Sequence, residues 1–420
     1  MTKKHRILAR VLALIVILGL LAACGTPSAP PPAQQPAQQG PAETATPEAP
    51  APGGEAAGVE VDEVVIGVLA PLTGPVAQFG VAVMQGVDLY VDQFNARGGL
   101  QIRLERFDEE GQAALGVAGY FDVVDRGATA IIGAVTSGVT MAVVPLAYDD
   151  NMPMITASST HENVTVCATT GRVFTNMFRS CFIDPFQGQK MAEFAVEILE
   201  AQTAAILYNN EIDYSIGLTQ AFRARAEELG LEIVATATFQ TGAVDFRGQL
   251  TSIATHNPDV LFVPEYYQAV SLVGPQSIDA GLADTVLLGA DGWATIGDFM
   301  DDPSSLEGSF FLTGFSPDVD DPQVQTFIED FRAAKGMMPN MFAAQAYDAA
   351  MILIAAIELA LADGHMPNTD EFKTSVIAHM AATDVVGVTG HIVFDEFNNP
   401  QKTAVILTIY NGEETFWGYF

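Results

Sequence analysis

Two short runs of small hydroxylic residues and one aspartate carry the legible chemistry of this chain. Thr136-Ser137-Gly138-Val139-Thr140 follows the apolar run Ile131-Ile132-Gly133, and Ala157-Ser158-Ser159-Thr160 follows Met154-Ile155-Thr156. If both apolar runs are strands of one parallel sheet, both hydroxylic runs lie beyond carboxyl strand ends, where open α/β sheets bind ligands. The first run opens a helix, whose amide hydrogens and partial positive charge suit a carboxylate. Side by side, the two runs make an anion cradle that needs no lysine. Further on, Asp291 follows Leu287-Leu288-Gly289-Ala290, and Tyr214 and Tyr266 sit at matching strand ends. A carboxylate at a strand end inside a cleft can hold an ammonium group; a turn or cap aspartate is the alternative. Tyr266, Tyr267 and Trp293 offer aromatic walls for an apolar pocket.

Catalytic signatures are missing from the sequence. It contains no G-x-S-x-G elbow, no G-x-G-x-x-G and no G-x-x-x-x-G-K-[ST]. His161-Glu162-Asn163-Val164-Thr165 starts like H-E-x-x-H and lacks the second histidine. The six histidines form no ligand spacing, so neither a metal nor a cofactor is expected.

The elements that must position these groups alternate. Residues 64–69 are a buried-type strand, 78–95 a helix stopped by Gly98-Gly99, and 102–107 the next strand. Helix 113–126, strand 130–133, helix 139–148 and strand 152–157 follow. The rhythm restarts after Cys181 with helices at 186–199, 217–229, 246–255 and 270–280. Strands at 204–208, 233–239, 260–263 and 286–288 lie between them. A strand at 310–315, helices at 324–335 and 342–363, and strands at 392–394 and 404–410 close the chain. Strands alternating with helices imply α/β architecture, with parallel sheets covered on both faces. Two such series in tandem imply two units of domain size.

The chain has 420 residues, of which 49% are hydrophobic, enough for two cores. Its formal charge is −33, and without Lys3, Lys4, Arg6 and Arg10 it is −37. Such a surface repels phosphate backbones, which argues against nucleic acid as a partner. Those four basic residues, an apolar run from Val11 to Leu21, and Leu21-Ala22-Ala23-Cys24 have the layout of a secretory signal. The end of this segment resembles the lipobox of bacterial lipoproteins, which implies a signal peptide over 1–23, lipidation of Cys24 and a lipid anchor outside the cytoplasm. A plain transmembrane anchor is the alternative, but the apolar run is shorter than the ~20 residues a span needs. Residues 24–60 are rich in Pro, Ala and Gln and read as a tether. The remaining cysteines, Cys167 and Cys181, are an even pair in an exported chain, which suggests a disulfide of roughly 3 kcal/mol. Two free thiols are the alternative.

The run Ile66-Gly67-Val68-Leu69-Ala70-Pro71-Leu72-Thr73-Gly74-Pro75-Val76-Ala77-Gln78-Phe79-Gly80 resembles the opening of the leucine/isoleucine/valine-binding proteins. These are type I periplasmic solute-binding proteins of ABC importers. The resemblance continues through Asn95-Ala96-Arg97-Gly98-Gly99, Pro153 to Thr160, Cys181-Phe182-Ile183-Asp184-Pro185-Phe186-Gln187-Gly188, Asp291-Gly292-Trp293 and Ala346-Tyr347-Asp348-Ala349. It implies two Rossmann-like lobes joined by three crossovers, with lobe 1 at 61–180 and 314–390 and lobe 2 at 181–313 and 391–420. It also implies that Ser137, Ser158, Ser159 and Thr160 hold a ligand carboxylate, that Asp291 grips its ammonium, and that Tyr214, Tyr266 and Phe342 line the site. Phe79 stands where a tyrosine is frequent in the family, and Asp291 where the best-known members carry glutamate. The expected function is capture of an amino acid, branched-chain or aliphatic, by a monomeric clamp that delivers it to a membrane permease with its ATPase. An amide or small-organic-acid receptor of the same fold, acting in import or sensing, is the alternative. A secreted hydrolase would need a nucleophile beside a base, and no such pairing is present.

Overall fold

The computed structural model describes residues 58–300 and 302–420. The leader, Cys24 and nearly all of the tether lie outside the described residues.

The first series builds a parallel sheet. Its strands are β1 (Glu63–Ala70), β2 (Gln101–Asp108), β3 (Ala130–Ile132), β4 (Met154–Thr156) and β5 (Met177–Arg179), in the spatial order β2-β1-β3-β4-β5. Helices α1 (Ala77–Asn95), α2 (Ala113–Asp125) and α3 (Ser137–Asp149) make the crossovers. β3 and β4 are buried at every position, because a parallel sheet covered on both faces leaves no solvent side.

The second series builds a mixed sheet of seven strands. β6 (Thr203–Asn209), β7 (Glu232–Phe239), β8 (Val260–Phe262), β9 (Val286–Gly289) and β10 (Phe310–Thr313) are parallel. The antiparallel pair β13 (Val405–Tyr410) and β14 (Glu413–Tyr419) closes one edge, giving β14-β13-β10-β9-β8-β6-β7. Helices α4 (Asp184–Glu197), α5 (Asp213–Leu229), α6 (Arg247–Ala254) and α7 (Tyr267–Asp279) cover it, and a short α8 (Ile296–Phe299) follows β9. Both halves are α/β, as the alternating pattern predicts.

The chain passes between the sheets three times: after β5, after β10, and between the hairpin β11 (Asp384–Gly387)–β12 (Gly390–Val393) and β13. The last return is tied down from inside. Asp348 accepts from the amides of Val388 at 2.8 Å and Thr389 at 2.9 Å, and Lys402 contacts the Thr389 hydroxyl. Helices α9 (Pro322–Lys335), α10 (Met341–Ala362) and α11 (Asp370–Ala381) fill the side of the first sheet. α10 is apolar and long enough to cross a membrane, yet most of it is buried against α1 and its neighbours, so it is a core helix.

The structure departs from the expected elements in several places. α5 starts at Asp213, four residues before the expected start. β5, α11 and the β11–β12 and β13–β14 pairings escape the pattern reading, because β5 is three residues ending in a charged one and β14 opens on Glu413-Glu414-Thr415. The expected disulfide is absent: Cys167 and Cys181 are both free. Cys167 lies in the ribbon whose bridge pairs Val166 with Val173, with its Sγ 3.3 Å from the Thr169 hydroxyl. Cys181 is fully buried past β5, with its Sγ 3.5 Å from the Ser159 carbonyl oxygen. Each sulfur is satisfied locally, on a different part of the fold.

Candidate functional site

The loop after β3 begins with a backbone that only glycine tolerates. Gly133 has φ +133°, and a β-carbon there would lie 2.4 Å from the Leu69 carbonyl oxygen. This bend carries Val135, Thr136 and Ser137 over the sheet edge into the first turn of α3. The N-cap residue Thr136 makes no side-chain cap hydrogen bond, which leaves the first amides of this turn open as donors. Ser137 Oγ accepts from His161 N at 3.2 Å, which leaves its own O–H as a donor.

The loop after β4 is held from behind by Arg179. Its guanidinium is fully buried and donates to the carbonyls of Ser159 (2.8 Å) and His161 (3.1 Å) and to Thr165 Oγ1 (3.1 Å). Drawing those carbonyls inward fixes the path of residues 158–161. Ser158 Oγ donates to the Val135 carbonyl at 2.8 Å, so what it presents outward is lone pairs. The Ser159 hydroxyl pairs with Thr140, and Ser159 and Thr160 are completely buried and lie outside the cavity wall. Of the four hydroxylic residues predicted, Ser137 and Ser158 reach the cleft.

From the second sheet, Asp291 enters at the end of β9. Gly289 makes room for Trp293 just beyond it: a β-carbon there would lie 2.3 Å from the indole, which packs on the strand and donates to the Val263 carbonyl at 2.8 Å. Asp291 Oδ1 accepts from Tyr214 Oη at 2.7 Å, and Tyr214 Oη accepts from Gly292 N at 2.8 Å. Asp291 N donates to Gln187 Oε1 at 3.0 Å. The carboxylate is 2% exposed. Burial lifts its pKa to about 6, against the pull of the Tyr214 and Gln187 hydrogen bonds. Buried Asp184 is itself driven well up, first by burial and further by the nearby Asp291 carboxylate.

Aromatic rings bridge the two sides. Phe342 and Phe79 from the first side lie 4.4 Å apart, and Phe79 meets Tyr266 edge-on at 5.4 Å. Tyr266 stacks on Tyr214 at 4.9 Å. Tyr267 Oη donates to the Pro75 carbonyl across the gap at 3.0 Å. Ser137, Ser158, Phe79 and Phe342 thus face Tyr214, Tyr266 and Asp291 around one cavity. It is drawn tight, to about 10 Å³, room for roughly one water. A larger cavity of about 550 Å³ opens beside it toward the mouth, sharing Thr136 and Tyr266 as walls.

The sequence reading overlooks Arg179 and Gln187 as organisers of the site. The signal for Arg179 is faint: one charged residue in an otherwise apolar run, Met177-Phe178-Arg179.

Two α/β lobes meeting over a polar cleft, with donors on one side and a carboxylate on the other, define a solute-binding clamp. A family model described as periplasmic binding protein matches residues 63–413. The chain belongs to this family. A Leu/Ile/Val-binding protein, BraC3, of Rhizobium johnstonii is 30% identical over 301 residues, covering 71% of this chain and 80% of that one. The crystal structure of a leucine-binding protein, LivK, from Thermotoga maritima superposes with a TM-score of 0.77 at 29% identity, over 85% of this chain and 98% of that one. The branched-chain amino acid transporter substrate-binding protein LivJ of Streptococcus pneumoniae, solved with isoleucine, gives 0.76 at 29% identity, over 85% and 99%. The chain is therefore a type I periplasmic binding protein of the branched-chain amino acid transporter group, an extracytoplasmic substrate-binding component of an ABC transporter and not an enzyme.

Proposed function

We propose that this protein captures a zwitterionic aliphatic amino acid between its lobes and delivers it to the permease of an ABC importer, working as a monomer tethered through a lipid on Cys24. The observation that carries this reading is the placement of Ser137 and the open first turn of α3 opposite Asp291 in one cavity. In this reading the α3 amides and the Ser137 hydroxyl take the ligand carboxylate. Asp291 and the lone pairs of Ser158 take the ammonium. Phe79, Phe342, Tyr214 and Tyr266 cover the carbon skeleton. Ser159 and Thr160 support the loop from within. Lobe 1 spans 61–180 and 314–390, and lobe 2 spans 181–313 and 391–420. Each lobe grips one end of the solute, so both grips form together only when the lobes close, and binding stabilises the closed state by that difference. A leucine- and an isoleucine-binding structure among the similar proteins support the aliphatic assignment.

The test is isothermal calorimetry on the mature domain with leucine, isoleucine, valine and their N-acetyl and amide derivatives. Binding that requires both free termini supports the reading. Equal binding of the N-acetyl compounds contradicts the ammonium grip.

A further inference from the structure

The mouth cavity has a chemistry of its own. Glu110 and Gly111 from the loop after β2, Glu211 from the loop after β6, Asp213 from the start of α5, and Glu265 from the loop after β8 line it. Four carboxylates stand in its wall, and no lysine, arginine or histidine among the described residues does. An acidic wall alone would mean little on a chain with 51 acidic and 18 basic residues. Glu265 is different from the others. It is 2% exposed; its Oε1 accepts from Tyr266 N at 2.9 Å, while its Oε2, with the Asn209 side chain near the carboxyl, has no hydrogen-bond partner within 3.5 Å among the described residues. A buried carboxylate oxygen left unpaired is costly, and a ligand donor that reached it would recover that cost. The surrounding wall includes Val139, Ile212, Phe239 and Leu272, which suit a methylene stem.

We infer that the mouth cavity is a second subsite, which receives the ammonium or guanidinium end of a long side chain while the inner cavity holds the α-carboxylate and α-amino groups. This rests on the proposed amino-acid grip and widens its solute class from aliphatic to basic amino acids. Tyr266 and Thr136 belong to both walls, so a side chain leaving the inner site passes between them into the outer cavity. The exposed Glu211 and Asp213 sit on the second lobe and Glu110 on the first, so a cation placed among them also draws the lobes together. Burial holds the Glu265 carboxyl up at about 7, opposed by the Tyr266 amide and the nearby Asn209. An arriving cation ionises it and releases a proton.

The experiment is calorimetry at pH 7 with L-arginine, L-lysine, L-leucine and L-norleucine, the last matching lysine's stem without its charge. Arginine or lysine is expected to bind at least about 10-fold tighter than norleucine, with an enthalpy that depends on buffer ionisation. In Glu265→Gln that advantage disappears while leucine affinity is unchanged. If Glu265→Gln fails to fold, Glu211→Gln and Asp213→Asn together must reduce the advantage of the basic amino acids. The inference is overturned if leucine binds but neither basic amino acid exceeds norleucine, or if the carboxylate variants leave their affinity unaltered. Failure of every α-amino acid to bind would instead sink the amino-acid grip itself.

Discussion

Tyr214 and Asp291 act as one unit: the phenol donates to Oδ1 at 2.7 Å and takes the Gly292 amide at 2.8 Å on its other side. The two residues are 77 positions apart, on α5 and after β9, and this bond helps orient both. The tyrosine steers the carboxylate and keeps it from drifting toward a fully protonated state in its dry surroundings.

Replacing Asp291 with alanine should weaken amino-acid binding by at least about 2 kcal/mol, because a ligand ammonium then enters the site without its counter-charge. Calorimetry reads this directly. An unchanged dissociation constant would remove Asp291 from the site.

The same carboxylate should burden the unliganded fold. Its pKa is raised, from 3.8 unfolded to about 6 folded. Between those values the folded form keeps a proton that the unfolded chain has lost, so stability falls as pH rises from about 4 to about 6 and stays low above. Asp291→Asn is therefore expected to raise the melting temperature at pH 8 by an amount worth up to about 3 kcal/mol, at 1.36 kcal/mol per pKa unit, and to have little effect near pH 4. It should lose ligand affinity at the same time. A lower melting temperature at pH 8 would contradict this.

Affinity should also respond to pH through Asp291. The ammonium needs the ionised carboxylate, so binding is expected to weaken below about pH 6, approaching tenfold per unit. Tyr214→Phe removes a hydrogen bond that lowers the Asp291 pKa, and should move this fall toward higher pH. Titration of affinity against pH in both proteins checks it.

Arg179→Met should destabilise the protein by at least about 2 kcal/mol, since the Ser159 and His161 carbonyls are left buried without their donor. Arg179→Lys keeps the charge and lacks the fork, so it should restore only part of the stability. Binding should weaken in both as the loop carrying Ser158 loosens. Thermal melts with and without leucine separate the two effects.

The cysteines should behave as unlike thiols. Hydrogen bonds from the Thr169 and Thr170 hydroxyls lower the accessible Cys167 to about 6, and burial pushes Cys181 up to about 12. Iodoacetamide at pH 7 is expected to label Cys167 in the native protein and Cys181 only after unfolding, as mass spectrometry would show. A reductant should leave the melting temperature unchanged; a drop would mean that a bridge had formed.

Much of this protein follows from local pattern. Apolar runs such as residues 130–132 and 260–262 are strands because a buried parallel strand is apolar along its whole length, and the loops that follow them fall at the cleft by topology alone. Hence Ser137, Ser158, Tyr214, Tyr266 and Asp291 could be picked out one by one. Tertiary structure decided which of the hydroxyls face the cleft. Ser158 and Ser159 are adjacent and chemically identical, and only the pull of Arg179 and Thr140 on the loop turns one outward and the other in. It decided that Cys167 and Cys181 stay apart, since closeness in sequence does not set the distance across a fold. It also decided that Glu265, with one buried oxygen left unpaired, stands beside the mouth cavity, because hydrogen-bond satisfaction is settled by every neighbour at once and no local pattern encodes it.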